Sequence, residues 1–199
     1  MSRPKRLILA SIFTVIIVIT LTGCIFAYQL LSQGCLWWEC APTRSFDVLD
    51  LGLPSNLFPS NGSYHFIEVV YGENPSIDKG FQTIQWESSG EAIYAVDKYA
   101  NNEKSLLGYN GLKNAFSSAG VYNSLWSAPD ISKSISSADN FFVMCGTLVT
   151  NGENCELVAR YQEFVIYFNT TISEKMTTQD FQEVVAFIDN QIASHIYEK

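Results

Sequence analysis

Leu7 to Leu31 is a run of 25 residues without a charged side chain. As a helix rising 1.5 Å per residue it reaches about 37 Å, more than the roughly 30 Å of a bilayer's hydrocarbon core. Such a segment targets or anchors a chain and stands apart from its fold. Arg3, Lys5 and Arg6 precede it, and the next charged residue is Glu39. That basic cluster holds the N-terminal side in the cytoplasm and directs the remainder outward.

Within the run, Leu21-Thr22-Gly23-Cys24 resembles a bacterial lipobox, where a signal peptide is cut and the new N-terminal cysteine receives lipid. The resemblance implies a lipoprotein with Cys24 as its lipidation site. Ile25-Phe26-Ala27-Tyr28 nevertheless continues the apolar character, as a membrane helix does. A secretory h-region is also shorter, about 7–15 residues. Length therefore favours an uncleaved signal anchor over a cleaved lipoprotein signal. Both arrangements describe an envelope protein attached to the cell membrane, by a single pass or by lipid, with its C-terminal domain extracytoplasmic.

Three segments follow. Residues 1–32 are the signal anchor or lipoprotein signal, 33–63 a juxtamembrane connector, and 64–199 an extracytoplasmic domain long enough to bury a core. All 20 acidic residues lie beyond position 38, and only Arg3, Lys5 and Arg6 of the 12 basic ones precede it, which leaves the distal part near −11. That field repels nucleic acid and anionic lipid, so neither is expected as a partner of the folded domain.

Cys24 falls in the apolar run, leaving Cys35, Cys40, Cys145 and Cys155 for disulfides in an oxidising exterior. The local pairing, 35–40 with 145–155, is preferred among the three possible. "FFVMCGTLV", "TNGEN" and "CELVAR" read as strand, turn and strand, which sets Cys145 beside Cys155. The first bridge closes "CLWWEC", where Trp37 and Trp38 suit either the membrane interface or packing on the domain. A zinc site is not expected, because C-x₄-C has no second matching pair and the chain holds only His65 and His195.

Residues 41–63 carry three prolines and read as a connector with an edge strand near Phe46–Leu51. Strands are expected over 64–72, 81–88, 91–100, 141–149, 155–161 and 164–171, with turns at Ser88-Ser89-Gly90 and Asn151-Gly152. Tyr161-Gln162-Glu163 is a turn or a bulge. Leu106, Tyr109, Leu112 and Phe116 share one face of a helix over 103–118, weakened by Gly108 and Gly111. A Ser- and Asn-rich stretch with a buried Trp126 follows. Thr177 with Asp180 caps a last helix, Met176 and Phe181 staple it, and Phe181, Val184, Val185, Ile188, Ile192 and Ile196 form its stripe.

This order predicts an α+β fold, an N-terminal membrane helix followed by a mainly antiparallel sheet with two helices packed on one face. The block from Cys145 through "ARYQEFVIYFN" to the last helix resembles the disulfide-bearing sensor-type domains of bacterial membrane proteins and lipoproteins. The resemblance covers about the last third of the chain, rests on element order and one cysteine pair, and implies no binding residues.

No catalytic motif is found. Ser76-Ile77-Asp78-Lys79 matches S-x-x-K, but Pro75 and Gly80 flank it, so a surface turn is expected rather than a helix-borne nucleophile. His65 and Glu68 sit at odd spacing on a strand and point to opposite faces. His195 lies in the last helical turn, where a capping role is expected. Asp47 with Asp50, or Glu153 with Glu156, offers a carboxylate pair or calcium ligands, yet lacks the dense D-x-D-x-D-G pattern and reads as solvated loop charge. Asn61-Gly62-Ser63 and Asn169-Thr170-Thr171 fit the glycosylation pattern. The aromatic residues are expected mostly in the core, with an exposed set able to form a binding surface.

The expected role is a non-enzymatic, membrane-tethered domain that binds a small ligand or another envelope protein, with no cofactor and no catalytic or metal site. The alternatives are an envelope hydrolase with a carboxylate-based site and an accessory subunit of a membrane complex. Two converging acids with raised pKa values would favour the hydrolase.

Overall fold

The structure is a computed structural model that describes residues 3–59, 63–68, 76–86, 90–118, 122–126, 135–149 and 152–197. It divides into two compact units, Met1–Cys40 and Ala41–Lys199.

The first unit is helix α1, Arg3–Gln33, and a disulfide-closed turn. Its Ser11–Ser32 stretch is long and apolar enough to cross a membrane. Thr20 and Thr22 donate their hydroxyls to the carbonyls of Ile16 and Val18 at 2.7 Å, which satisfies both inside an apolar helix. Gly34 at φ 69° ends α1, its N–H donating to Leu30 O at 3.0 Å. Cys35 and Cys40 are joined (S–S 2.01 Å). Trp37 and Trp38 are exposed, their rings 6.1 and 6.0 Å from that of Phe26.

The second unit is built on one antiparallel sheet. Its strands are β1 Ser63–Glu68, β2 Ser76–Trp86, β3 Gly90–Tyr99, β4 Tyr122–Trp126, β5 Asn140–Leu148, β6 Glu153–Tyr161 and β7 Phe164–Ile172. The order across the sheet is β1-β2-β3-β7-β6-β5-β4. Helix α2, Asn102–Ser118, connects β3 to β4, and α3, Thr178–Tyr197, closes the chain. The α+β class and the antiparallel sheet are thus observed.

The two helices lie on opposite faces, which corrects the expectation of one shared face. Alternate residues of β6 and β7 turn to opposite sides, and both sets are apolar. Leu157, Ala159, Tyr161, Phe164, Ile166 and Phe168 face the larger core, which also holds Phe181, Val184, Val185, Ile188, Ile192 and Ile196 of α3. Val158, Val165 and Tyr99 face the other way, against Tyr109, Leu112 and Phe116 of α2. Leu106, expected on that face, is 40% exposed. A sheet apolar on both sides at its centre needs a cover on each.

The α3 cap forms as read. Thr177 Oγ1 accepts from Asp180 N at 3.2 Å, and Asp180 Oδ2 accepts from Thr177 N at 2.7 Å. Met176 and Phe181 are both fully buried.

The connector differs from expectation. Val48–Leu51 is a 3-10 helix rather than an edge strand, and it begins with Asp47 and Asp50 bonding each other's main chain as a capping box. The carbonyl that a ladder would have used goes to the sheet's buried side chains instead. Tyr94 donates to Leu51 O at 3.0 Å, and Gln82 bonds both N and O of Leu53 at 2.9 Å. Tyr122–Trp126, within the Ser- and Asn-rich stretch, pairs with β5 as an edge strand. Gln162 at φ 51° and Glu163 form a two-residue turn between β6 and β7. The turns expected at Ser88-Ser89 and Asn151, the strand end beyond Glu68, Asn61 and the side chain of Trp126 lie outside the described residues.

Candidate functional site

Two polar clusters of the second unit stand on the sheet face that α2 covers. A cavity of about 420 Å³ opens between α2 and strands β2 and β3, within the range of small-ligand pockets. Lys79, Asp97, Tyr99, Lys104, Gly108 and Gly111 are among its lining residues.

Strand pairing creates the charged centre of this cavity. Lys79 lies opposite Asp97 in the β2–β3 register. Its ammonium lies 3.3 Å from each carboxylate oxygen. Burial raises the Asp97 pKa, and Lys79 and the Ser76 hydroxyl draw it back. The S-x-x-K stretch is therefore strand, not the surface turn expected, with a register shift between Ser76 and Asp78. Tyr99, pushed up to about 12 by burial and then by Asp97, reaches under α2. A Cβ at Gly108 would lie 2.2 Å from the Tyr99 hydroxyl oxygen, so only glycine admits that approach, whereas a Cβ at Gly111 meets nothing within 4 Å. The two glycines that weakened the helix in sequence both line the cavity.

A second polar cluster stands on the same face. Glu156 is 6% exposed, and its Oε1 accepts from Tyr122 Oη at 2.7 Å and from Asn169 Nδ2 at 3.0 Å. Burial raises its pKa, and those two donors oppose the rise. Burial followed by the Glu156 carboxylate raises the pKa of both Tyr122 and Tyr167. The Tyr167 ring stacks on Phe116 of α2 at 4.8 Å. Gly146 makes the cluster possible: a Cβ there would lie 2.5 Å from both Tyr122 Cδ1 and Ser124 O. A glycine inside a strand marks close approach, and this was the available sequence signal.

These positions correct two readings. Glu156 is not a solvated loop charge but a buried strand residue, while Glu153 at odd spacing is exposed. Asn169 lies mid-strand with its amide given to Glu156, a poor glycan acceptor. Asp47 and Asp50 serve their capping box. His195 is exposed, with Nδ1 2.8 Å from Gln191 O and its ring 5.0 Å from that of Phe46, so its contacts are structural. The backbone of His65 and Glu68 runs in β1, whose side chains lie outside the described residues. Cys145 and Cys155, opposite each other in the β5–β6 register, are bridged (S–S 1.98 Å, Cα–Cα 4.1 Å) within the larger core. Cys24 is a free, exposed thiol on α1. Among the described residues no group of three His, Cys, Asp or Glu could hold a metal.

Asp97 and Glu156 do not converge. Asp97 pairs with Val165, which pairs with Arg160, and Glu156 lies four residues along the same strand. Two strand spacings and four residues separate them by about 16 Å. Paired carboxylates in glycoside hydrolysis stand about 5–9.5 Å apart.

No family model matches the chain, and no curated protein matches it. Among solved structures, the extracellular domain of PknH from Mycobacterium tuberculosis aligns with a TM-score of 0.49 and 8% identity, covering 77% of this chain and 100% of that one.

Proposed function

We propose that this chain is a membrane-tethered extracytoplasmic binding domain without catalytic activity, and that the cavity beneath α2 receives its small ligand. The observation that carries the reading is that cavity, shaped by Gly108 and Gly111 around the Lys79–Asp97 pair. A part-buried ion pair beside apolar walls offers both charge signs to a ligand's polar groups. The distance between the two buried acids argues against a two-carboxylate hydrolase, and Lys79 is engaged by Asp97. The apolar α1 segment and the oxidised cysteine pairs support the extracytoplasmic placement.

The test is a thermal-shift screen of the full chain in nanodiscs against amino acids, short peptides and small carboxylates. A compound that raises the wild-type melting temperature, and has no effect on Gly111→Phe, supports the reading. Hits that survive that filling of the cavity, or that the protein converts chemically, overturn it. The anchor is proposed to be the uncleaved α1 helix. Mass spectrometry of the intact mature protein distinguishes it from a chain that begins at a diacylated Cys24.

A further inference from the structure

Beyond the cavity under α2, the Glu156 cluster has unspent hydrogen-bonding capacity of one kind. Asn154 and Glu156 are two residues apart on β6 and so share the face that carries Tyr122 and Asn169. They are 8% and 6% exposed. Tyr122 donates to Glu156 Oε1, and its hydroxyl is also hydrogen-bonded by the Asn154 side chain. Asn169 donates to the same Oε1. Two acceptors then remain, Glu156 Oε2 and Asn154 Oδ1, and no described residue donates to either. Buried acceptors are rarely left so, because each forfeits its water without a replacement.

A single small group that serves both acceptors donates two hydrogen bonds, and positive charge on it complements Glu156. Calcium is a poor fit, since it takes about 6–8 oxygen ligands and only two are spare. A primary ammonium has three N–H donors. The Tyr122 and Tyr167 rings beside Glu156 suit an alkyl stem and a cation over an aromatic face. We propose that Glu156 and Asn154 form a binding site for a primary ammonium group on an apolar stem, with Tyr122 and Asn169 orienting the carboxylate.

The test uses the full chain in detergent micelles, with the side-chain amides of Asn154 and Asn169 observed by NMR. The probes are n-butylammonium, N-acetyl-lysinamide, neutral n-butanol and calcium. Saturable shifts of both amides with n-butylammonium and none with n-butanol are expected. A tighter response to N-acetyl-lysinamide identifies a lysine side chain as the source, and a weaker one identifies a free amine. Glu156→Gln, close in shape and able to bond Asn154 internally, is expected to lower affinity by at least about ten-fold, and Asn154→Ala by about five-fold, with cooperative melting retained. The proposal is overturned if the amides respond only to calcium, if n-butanol matches the amine, or if Glu156→Gln binds as well as wild type. It is equally overturned if no probe binds, which leaves ordered water as the occupant. Gly111→Phe should leave these shifts unchanged, so this site stands or falls separately from the cavity.

Discussion

Arg44 and Glu163, 119 residues apart in the chain, form a two-pronged ion pair: Nε lies 2.7 Å from Oε1 and Nη2 lies 3.0 Å from Oε2. Glu163 is fully buried, and the same guanidinium also donates to Gln162 Oε1 and to the carbonyl of Ile196. One side chain of the connector thus ties the β6–β7 turn to the end of α3. Glu163, through this bond, also raises the Arg44 pKa, against the opposing effect of burial. Arg44→Ala leaves a carboxylate buried without its partner and is expected to destabilise the domain by about 3–5 kcal/mol. Arg44→Lys should recover only part of this, because a lysine lacks the planar fork. Chemical denaturation measures both, and a loss in Arg44→Ala below about 1 kcal/mol would show the pair to be energetically idle.

Asp189 makes a comparable tie. It sits fully buried in the apolar stripe of α3 and accepts from Ser136 N at 2.9 Å, Ser137 N at 3.2 Å and Tyr161 Oη at 2.9 Å. Asp189→Ala strands these donors in the core and is expected to cost about 3 kcal/mol or more. Hydrogen exchange should show the amides of Ser136 and Ser137 losing protection more than those of β7. Uniform loss across the sheet would contradict this local role.

The raised pKa values of Asp97 and Glu156 set the sign of a pH response. Each carboxyl binds its proton more tightly folded than unfolded. Their contribution to stability is therefore greatest at low pH and is lost as pH rises from about 4, the unfolded value, through the higher folded pKa. Glu156→Gln removes its share of that loss and gives Asn154 Oδ1 a donor. It should melt about 2–4 °C above wild type at neutral pH, on the order of 1 kcal/mol for a chain of this size. The difference should vanish near pH 4. A variant less stable than wild type at neutral pH would refute the assignment of a desolvated carboxylate.

The two α2 glycines should respond oppositely to alanine. Gly108→Ala forces a methyl onto the Tyr99 hydroxyl and is expected to cost about 1–3 kcal/mol. Gly111→Ala meets open space and should stabilise by about 0.5–1 kcal/mol through helix propensity. Equal effects in thermal melts would mean that Tyr99 does not press on α2.

Local periodicity and end chemistry determined much of the architecture from sequence alone. The α3 stripe from Phe181 to Ile196, its Thr177–Asp180 cap, the cross-strand position of Cys145 and Cys155, and the apolar span of α1 all arise from neighbours within a few residues. Tertiary structure decided the rest. Continuous apolar runs in β6 and β7 do not say which residues meet α2 and which meet α3, since a strand buried on both faces has no polar side to orient it. Glu156, Asp97 and Asp189 look like ordinary surface acids until Tyr122, Lys79 and Tyr161 arrive from 34, 18 and 28 residues away. Burial and long-range pairing are properties of the folded surface, and they alone turn those carboxylates into a site, a charged cavity wall and a clasp.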